Sequence, residues 1–246
     1  MRFRIPMIPL HDDNPTQIWP ALTIAFIVIC CLAFFWQISQ GEAGYPRIVY
    51  GLGMIPVVLF AHAELPPEVA LVPPAATLLT SMFLHGGFMH LAGNMLYLWI
   101  FGNNVEDAMG HGRFAVFYVT CGVAAALSQA LIDPSSEVPM IGASGAVSGV
   151  LGAYLLLYPH ARILVLVPLG FYLHATRLPA GWVLALWFLF QLLNSALAGD
   201  QPGGVAWMAH IGGFIAGMSL IPLFKYRRVP LFHPPQPAGW NSRWRR

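Results

Sequence analysis

Charge is what this chain has least of: Asp, Glu, Lys and Arg together make up 9% of its 246 residues. That scarcity excludes an ordinary soluble globule, in which about a quarter of the residues are charged. Cysteine is nearly absent as well, with 3 in all, and Cys30, Cys31 and Cys121 each lie inside an apolar run. They make no paired framework and match no zinc spacing, so they read as buried packing residues. No His-Glu-x-x-His occurs, and His85 and His90 are poorly spaced to share a helical face. No metal site is therefore expected. A net charge of +2 gives no reason to expect a nucleic-acid partner. What the chain has in excess is apolar surface: 57% of residues are hydrophobic, and the mean hydropathy is +0.65. The class this fits is an all-α polytopic protein of the lipid bilayer.

Six apolar stretches are long enough to read as spans: 18–38, 86–102, 114–132, 142–158, 180–197 and 205–224. The first follows a polar N-terminal segment, residues 1–17. It is longer than a signal-peptide core and no small-residue cleavage site closes it, so it reads as a retained anchor. The connection 39–83 is rich in proline, and its apolar piece 48–61 is broken by Gly51, Gly53 and Pro56. That piece is too short to cross and too apolar to be freely solvated, which suggests an interfacial loop. A seventh, broken span is the alternative there. Residues 159–179 bracket a short apolar run interrupted by Pro168, read as an interfacial turn or short extended segment. The tail 225–246 reads as solvated and flexible.

Six spans put both termini on one side. Of the 12 Lys and Arg residues, all but Arg47 fall in one set of connections and tails. By the positive-inside rule both termini are expected in the cytoplasm. The second, fourth and sixth spans then run from outside to inside. Ser144 sits near the outer start of the fourth and His210 near the outer start of the sixth. His90 and Asn94, four residues apart on one helical face, lie in the outer half of the second.

A serine and a histidine at one depth on one side suit nucleophilic catalysis. A neutral imidazole in reach of a hydroxyl can take its proton and later protonate a leaving amine. Asn94 and the Ser144 backbone N–H suit an oxyanion. No acidic residue sits in these outer span starts, so a dyad is expected rather than a triad. The bland readings are a glycine packing face with an incidental serine, a packed histidine, and an asparagine that ties helices together. They explain each residue singly but not the shared side and depth.

Gly142-Ala-Ser-Gly145 is similar to the Gly-x-Ser-Gly nucleophile motif of the rhomboid intramembrane serine proteases. Ala209-His-Ile-Gly-Gly-Phe-Ile-Ala-Gly217 resembles that family's Ala-His-x-x-Gly-x-x-x-Gly motif, and His90-Leu-Ala-Gly-Asn94 its His-x-x-x-Asn oxyanion motif. His85 and Glu106 resemble family positions with structural roles. The likeness runs over about residues 78–224 in the family's order. It implies a six-span domain, residues 18–224, that hydrolyses peptide bonds in or near transmembrane segments of membrane-protein substrates. Ser144 and His210 are its implied dyad, and Asn94 and His90 its oxyanion donors. It implies neither metal nor cofactor, and a bacterial inner membrane as location. Two features depart from the family pattern. The connection 39–83 has no tryptophan, and Ser148 stands where some members place an aromatic ring that stacks on the histidine. Two other classes compete: a non-proteolytic relative that binds transmembrane segments, and a solute transporter, against which stands the lack of an internal repeat. No residue pattern specifies an oligomeric state.

Overall fold

A computed structural model describes residues 7–169, 172–197 and 206–234. The six expected spans appear as six helices: α1 (Ala21–Ser39), α5 (Phe88–Met109), α6 (His111–Ile132), α7 (Ser144–Leu157), α8 (Ala180–Leu197) and α9 (Trp207–Phe224). Four of them, α1, α6, α8 and α9, are long and apolar enough to cross a membrane. α5 is as long as α6 but carries Asn94, Asn104, Glu106 and Asp107. α7 has 14 residues, about 21 Å of helix. The start of the expected sixth span at residue 205, and the tail beyond 234, lie outside the described residues.

The second span is longer than expected, because the buried polar residues after Gly102 have partners. Glu106, fully buried, accepts the N–H groups of Leu22 (2.9 Å) and Thr23 (2.8 Å) and the Thr23 hydroxyl (2.7 Å). These are first-turn donors of α1 that no intrahelical carbonyl can satisfy. Glu106 thus caps a helix from which it is far away in sequence, and His111 closes on its other side. Gly110 alone separates α5 from α6, at φ +80°, a conformation open to glycine at little cost.

The connection 39–83 is not a loop throughout. It holds α2 (Gly41–Leu52), α3 (Pro56–Leu59) and α4 (Thr77–Thr80), the last flanked by short 3₁₀ turns. Neither α2 nor α3 reaches the length a span needs, and Gly53, Met54 and Ile55 separate them. The seventh-span alternative is set aside on that ground. Residues 162–179 are more regular than a turn. β2 (Arg162–Leu169) and β3 (Tyr172–Pro179) pair antiparallel from Arg162↔Pro179 to Leu169↔Tyr172. β1 (Ile8–Asp12), from the N-terminal segment, adds to β2 with a bulge between Pro9 and His11. A small three-stranded sheet is therefore appended to the otherwise helical bundle.

α7 lies at the centre, against α5, α6, α8 and α9. Every residue from Gly145 to Tyr154 is buried. Its tightest seam is with α9: a Cβ on Gly213 would run into the Gly145 carbonyl, and one on Gly217 into that of Gly149. Glycine permits this close approach, which is how helices pack where lipid removes the hydrophobic drive between them. Outside, Val28, Leu32 and Phe35 of α1 and Trp182, Leu189 and Leu193 of α8 are exposed. Apolar surface of this extent belongs against lipid. The protein is a polytopic helical membrane bundle.

Candidate active site

The α7–α9 seam fixes the relation of the two expected catalytic side chains. Gly145 meets Gly213 where the first turns of the helices cross. Ser144 directly precedes the first, and His210 lies three residues before the second. Both line one cavity of about 680 Å³, shared with His90, Asn94, Trp187 and Gln191. All four residues singled out from the sequence are thus brought to one place.

Ser144 opens α7, two residues later than the expected span start. The chain before it is pinned. Met140 and Met54 exchange backbone hydrogen bonds (2.8 and 3.0 Å), and the Gly142 N–H donates to the Ser81 carbonyl at 2.9 Å. Gly142 turns the chain into the helix at φ +126°. A Cβ there would lie 2.7 Å from His90 Nε2 and 3.6 Å from Asn94 Nδ2, so both nitrogens face this bend.

The hydrogen bonds of the histidines assign their tautomers. His90 Nδ1 accepts the Gly86 N–H at 3.2 Å. In the neutral ring the proton then sits on Nε2, and that N–H is aimed at the bend before Ser144. Asn94 is buried, and its Nδ2 has no protein acceptor. Leaving a buried amide donor unpaired costs about 1–3 kcal/mol, so its position calls for an acceptor from outside the protein. Two donors therefore converge beside the first turn of α7, whose backbone N–H groups also lack intrahelical acceptors.

His210 is held from the other side. Its Nδ1 lies 2.8 Å from Gln191 Oε1, while Gln191 Nε2 donates to the Trp187 carbonyl at 3.4 Å. The amide oxygen thus faces the imidazole, which puts the His210 proton on Nδ1 and leaves the Nε2 lone pair free. The ring also stands between Trp187 (centroids 6.0 Å) and Trp207 (6.2 Å). Trp187 is tilted against the imidazole and Trp207 meets it edge to face, so neither stacks on it as the expected aromatic at the Ser148 position would. Ser148 instead returns its hydroxyl to the Ser144 carbonyl at 2.7 Å.

Gln191, Trp187 and Trp207 were not reached from the sequence. The available signal was the pair of amides, Gln191 and Asn194, in the apolar run of α8, since a polar residue within a span is a candidate for function. His85 does not line the cavity. It is buried against His90 (ring centroids 5.2 Å), with its backbone held by Gln37 and Tyr45, a packing role. Among the described residues no three His, Cys, Asp or Glu side chains gather as a metal site.

A profile of the rhomboid domain matches residues 74–227, which takes in His90, Asn94, Ser144, Gln191 and His210. The mitochondrial rhomboid protein 1 of Saccharomyces cerevisiae is 31% identical over 189 residues, 70% of this chain and 51% of that protein. The rhomboid protease GluP of Bacillus subtilis is 31% identical over 201 residues, 82% of this chain and 35% of that one. Inactive rhomboid protein 1 of Drosophila melanogaster is also similar, at 29% over 159 residues, 61% of this chain and 10% of that protein. The chain thus spans about half, or less, of the length of these relatives, one named as a protease and one as inactive. The domain match covers more than half of this chain, which belongs to the rhomboid family.

Proposed function

We propose that this protein is an intramembrane serine endopeptidase acting on transmembrane segments of other membrane proteins through a Ser144–His210 dyad. The observation that carries the reading is the pair of hydrogen bonds that engage Nδ1 of each of two histidines on one cavity, from which complementary protonation follows. His210 presents a bare Nε2, and His90 presents an Nε2–H.

The chemistry follows from those roles. His210 Nε2 takes the proton of Ser144 Oγ as that oxygen attacks the scissile carbonyl carbon. The carbonyl π pair moves onto oxygen, where the His90 and Asn94 donors and the Ser144 backbone N–H receive the charge. The intermediate collapses, the C–N bond breaks, and His210 gives its proton to the departing amine. Water then attacks the acyl carbon with His210 again as base; the acyl–Oγ bond breaks, His210 returns the proton to Ser144 Oγ, and the acid product leaves. A substrate helix must unwind first, because its carbonyls are otherwise held in backbone hydrogen bonds.

With the termini cytoplasmic, the cavity opens toward the outer face of a plasma membrane of the bacterial kind. There α7, at about 21 Å, is shorter than a hydrocarbon core of about 30 Å, which sinks Ser144 below the surface while water enters from outside. The domain proper is residues 18–224, flanked by cytoplasmic segments 1–17 and 225–246. A non-proteolytic binder is the competing reading, since one relative carries the name inactive. Ser144 and His210 both present on one cavity favour the enzyme. A fluorophosphonate probe should label native protein at Ser144 and leave Ser144→Ala unlabelled, with no effect of a chelator on either. Labelling that persists in Ser144→Ala, or is abolished by chelator and restored by zinc, overturns the serine mechanism.

A further inference from the structure

Among the described residues no carboxylate lines the cavity with the dyad, yet its histidine is not left to orient itself. Gln191 comes from α8, a different helix from either dyad member, and its side chain is only 5% exposed. One end of the amide is committed: Nε2 donates to the carbonyl of Trp187, one turn back on the same helix. That leaves Oε1 as the end turned to His210 Nδ1, at 2.8 Å. Trp187 also sets its ring beside the imidazole, so one turn of α8 fixes both the tilt of His210 and the nitrogen that carries its proton.

An imidazole in an apolar site can place its proton on either nitrogen, and only the Nδ1–H tautomer leaves Nε2 basic toward the cavity. An acceptor at Nδ1 selects that form. The same acceptor stabilises the imidazolium that forms as the serine proton is taken, though without the full charge of a carboxylate. Titratable neighbours do not compete for Nδ1. Among the described residues lining the cavity, His90 and Tyr97 are the other titratable ones, both from α5, and no acid is among them.

We infer that Gln191 is the positioning residue of the dyad: its amide oxygen holds His210 as the Nδ1–H tautomer and so makes Nε2 the base for Ser144. The inference rests on the protease reading above, and it makes α8 a structural partner of the catalytic histidine. Motion of α8 would then alter the base as well as the width of the cavity.

Gln191→Met keeps the length and removes the acceptor; Gln191→Glu keeps an acceptor. In triads, spoiling the tautomer by replacing the aspartate costs about 10⁴ in kcat. A neutral amide gives orientation without charge, so Gln191→Met should lower kcat by about 10- to 100-fold with KM little changed. Gln191→Glu should stay within about tenfold of wild type. A role in packing alone would move the melting temperature, which the apolar methionine should leave nearly unchanged. The tautomer is read independently of activity from ¹⁵N-histidine spectra, with the His210 signals assigned by their loss in His210→Ala. Wild type should show a protonated Nδ1 and a bare Nε2, and Gln191→Met a mixture of tautomers. An unchanged tautomer in Gln191→Met, or a wild-type His210 protonated on Nε2, overturns the inference whatever the enzyme cleaves. If the spectra behave as expected but neither wild type nor variant cleaves, the protease reading fails and the positioning role stands.

Discussion

Asn94 carries a buried amide donor with no partner inside the protein, a costly arrangement unless something outside completes it. If that something is an oxyanion, Asn94→Ala should lower kcat by about 10²-fold, the lower part of the range for one lost donor. The His90 N–H and the Ser144 backbone N–H would still serve the same charge. Melting temperature should hardly change, because the amide makes no bond in the resting protein. A destabilised variant with normal turnover would show that Asn94 only ties helices together. Asp12 is the opposite case, a buried acid whose partners are all internal. It accepts from Asn104 Nδ2 (2.8 Å) and the Tyr154 hydroxyl (2.7 Å), and burial pushes its carboxyl up to about 6. The folded state then holds the proton more tightly than the unfolded one. Stability should fall as pH rises from about 4 to about 6, by up to about 3 kcal/mol, and level off above. Asp12→Asn keeps an acceptor for both donors and removes the charge. Its melting temperature should vary less between pH 4 and 7 than that of wild type, and a slope equal to wild type would contradict the account.

At the scale of elements, the seam between α7 and α9 governs the site. Gly213 has no room for a methyl group beside the Gly145 carbonyl, and the obstacle is backbone that cannot rotate away. Gly213→Ala should therefore push the first turn of α9, with His210, off the first turn of α7. A displacement of about 1 Å costs about 10² in rate where geometry sets the chemistry. We expect a loss of that order in cleavage with the protein still inserted; full activity would refute the seam. This seam was legible in the sequence, because glycines at helical spacing on two spans can only mean close approach. So were the six helices, each an apolar run bounded by Gly, Pro or polar residues. The end of α5 was not legible, since Asn104 and Glu106 look like the close of a span until their partners on β1 and α1 are seen. The sheet was hidden for a similar reason. β1 lies in a short polar segment, and its pairing with β2 spans most of the chain. Gln191 stayed hidden because its meaning depends on which histidine α8 faces, a relation between helices that periodicity does not carry.

At the scale of the whole molecule, α7 runs between two polar ends of an apolar bundle. Its first residue opens on the cavity, and Tyr154 in its last turn bonds Asp12 of the sheet. Lipid-facing residues on α1 and α8 set the bilayer's place between these ends. The sheet and the Glu106 cap tie the bundle together at residues that do not line the cavity. The account's central claim is that this assembly cuts a membrane-embedded peptide with Ser144. The most direct measurement is cleavage of a reporter transmembrane substrate by purified protein in detergent, with Ser144→Ala, His210→Ala and the double variant beside it. Wild type should cleave, and each single variant should be inactive. The double variant should be no worse than either single one, because members of one catalytic unit are strongly non-additive. Substantial cleavage by folded Ser144→Ala would contradict the claim.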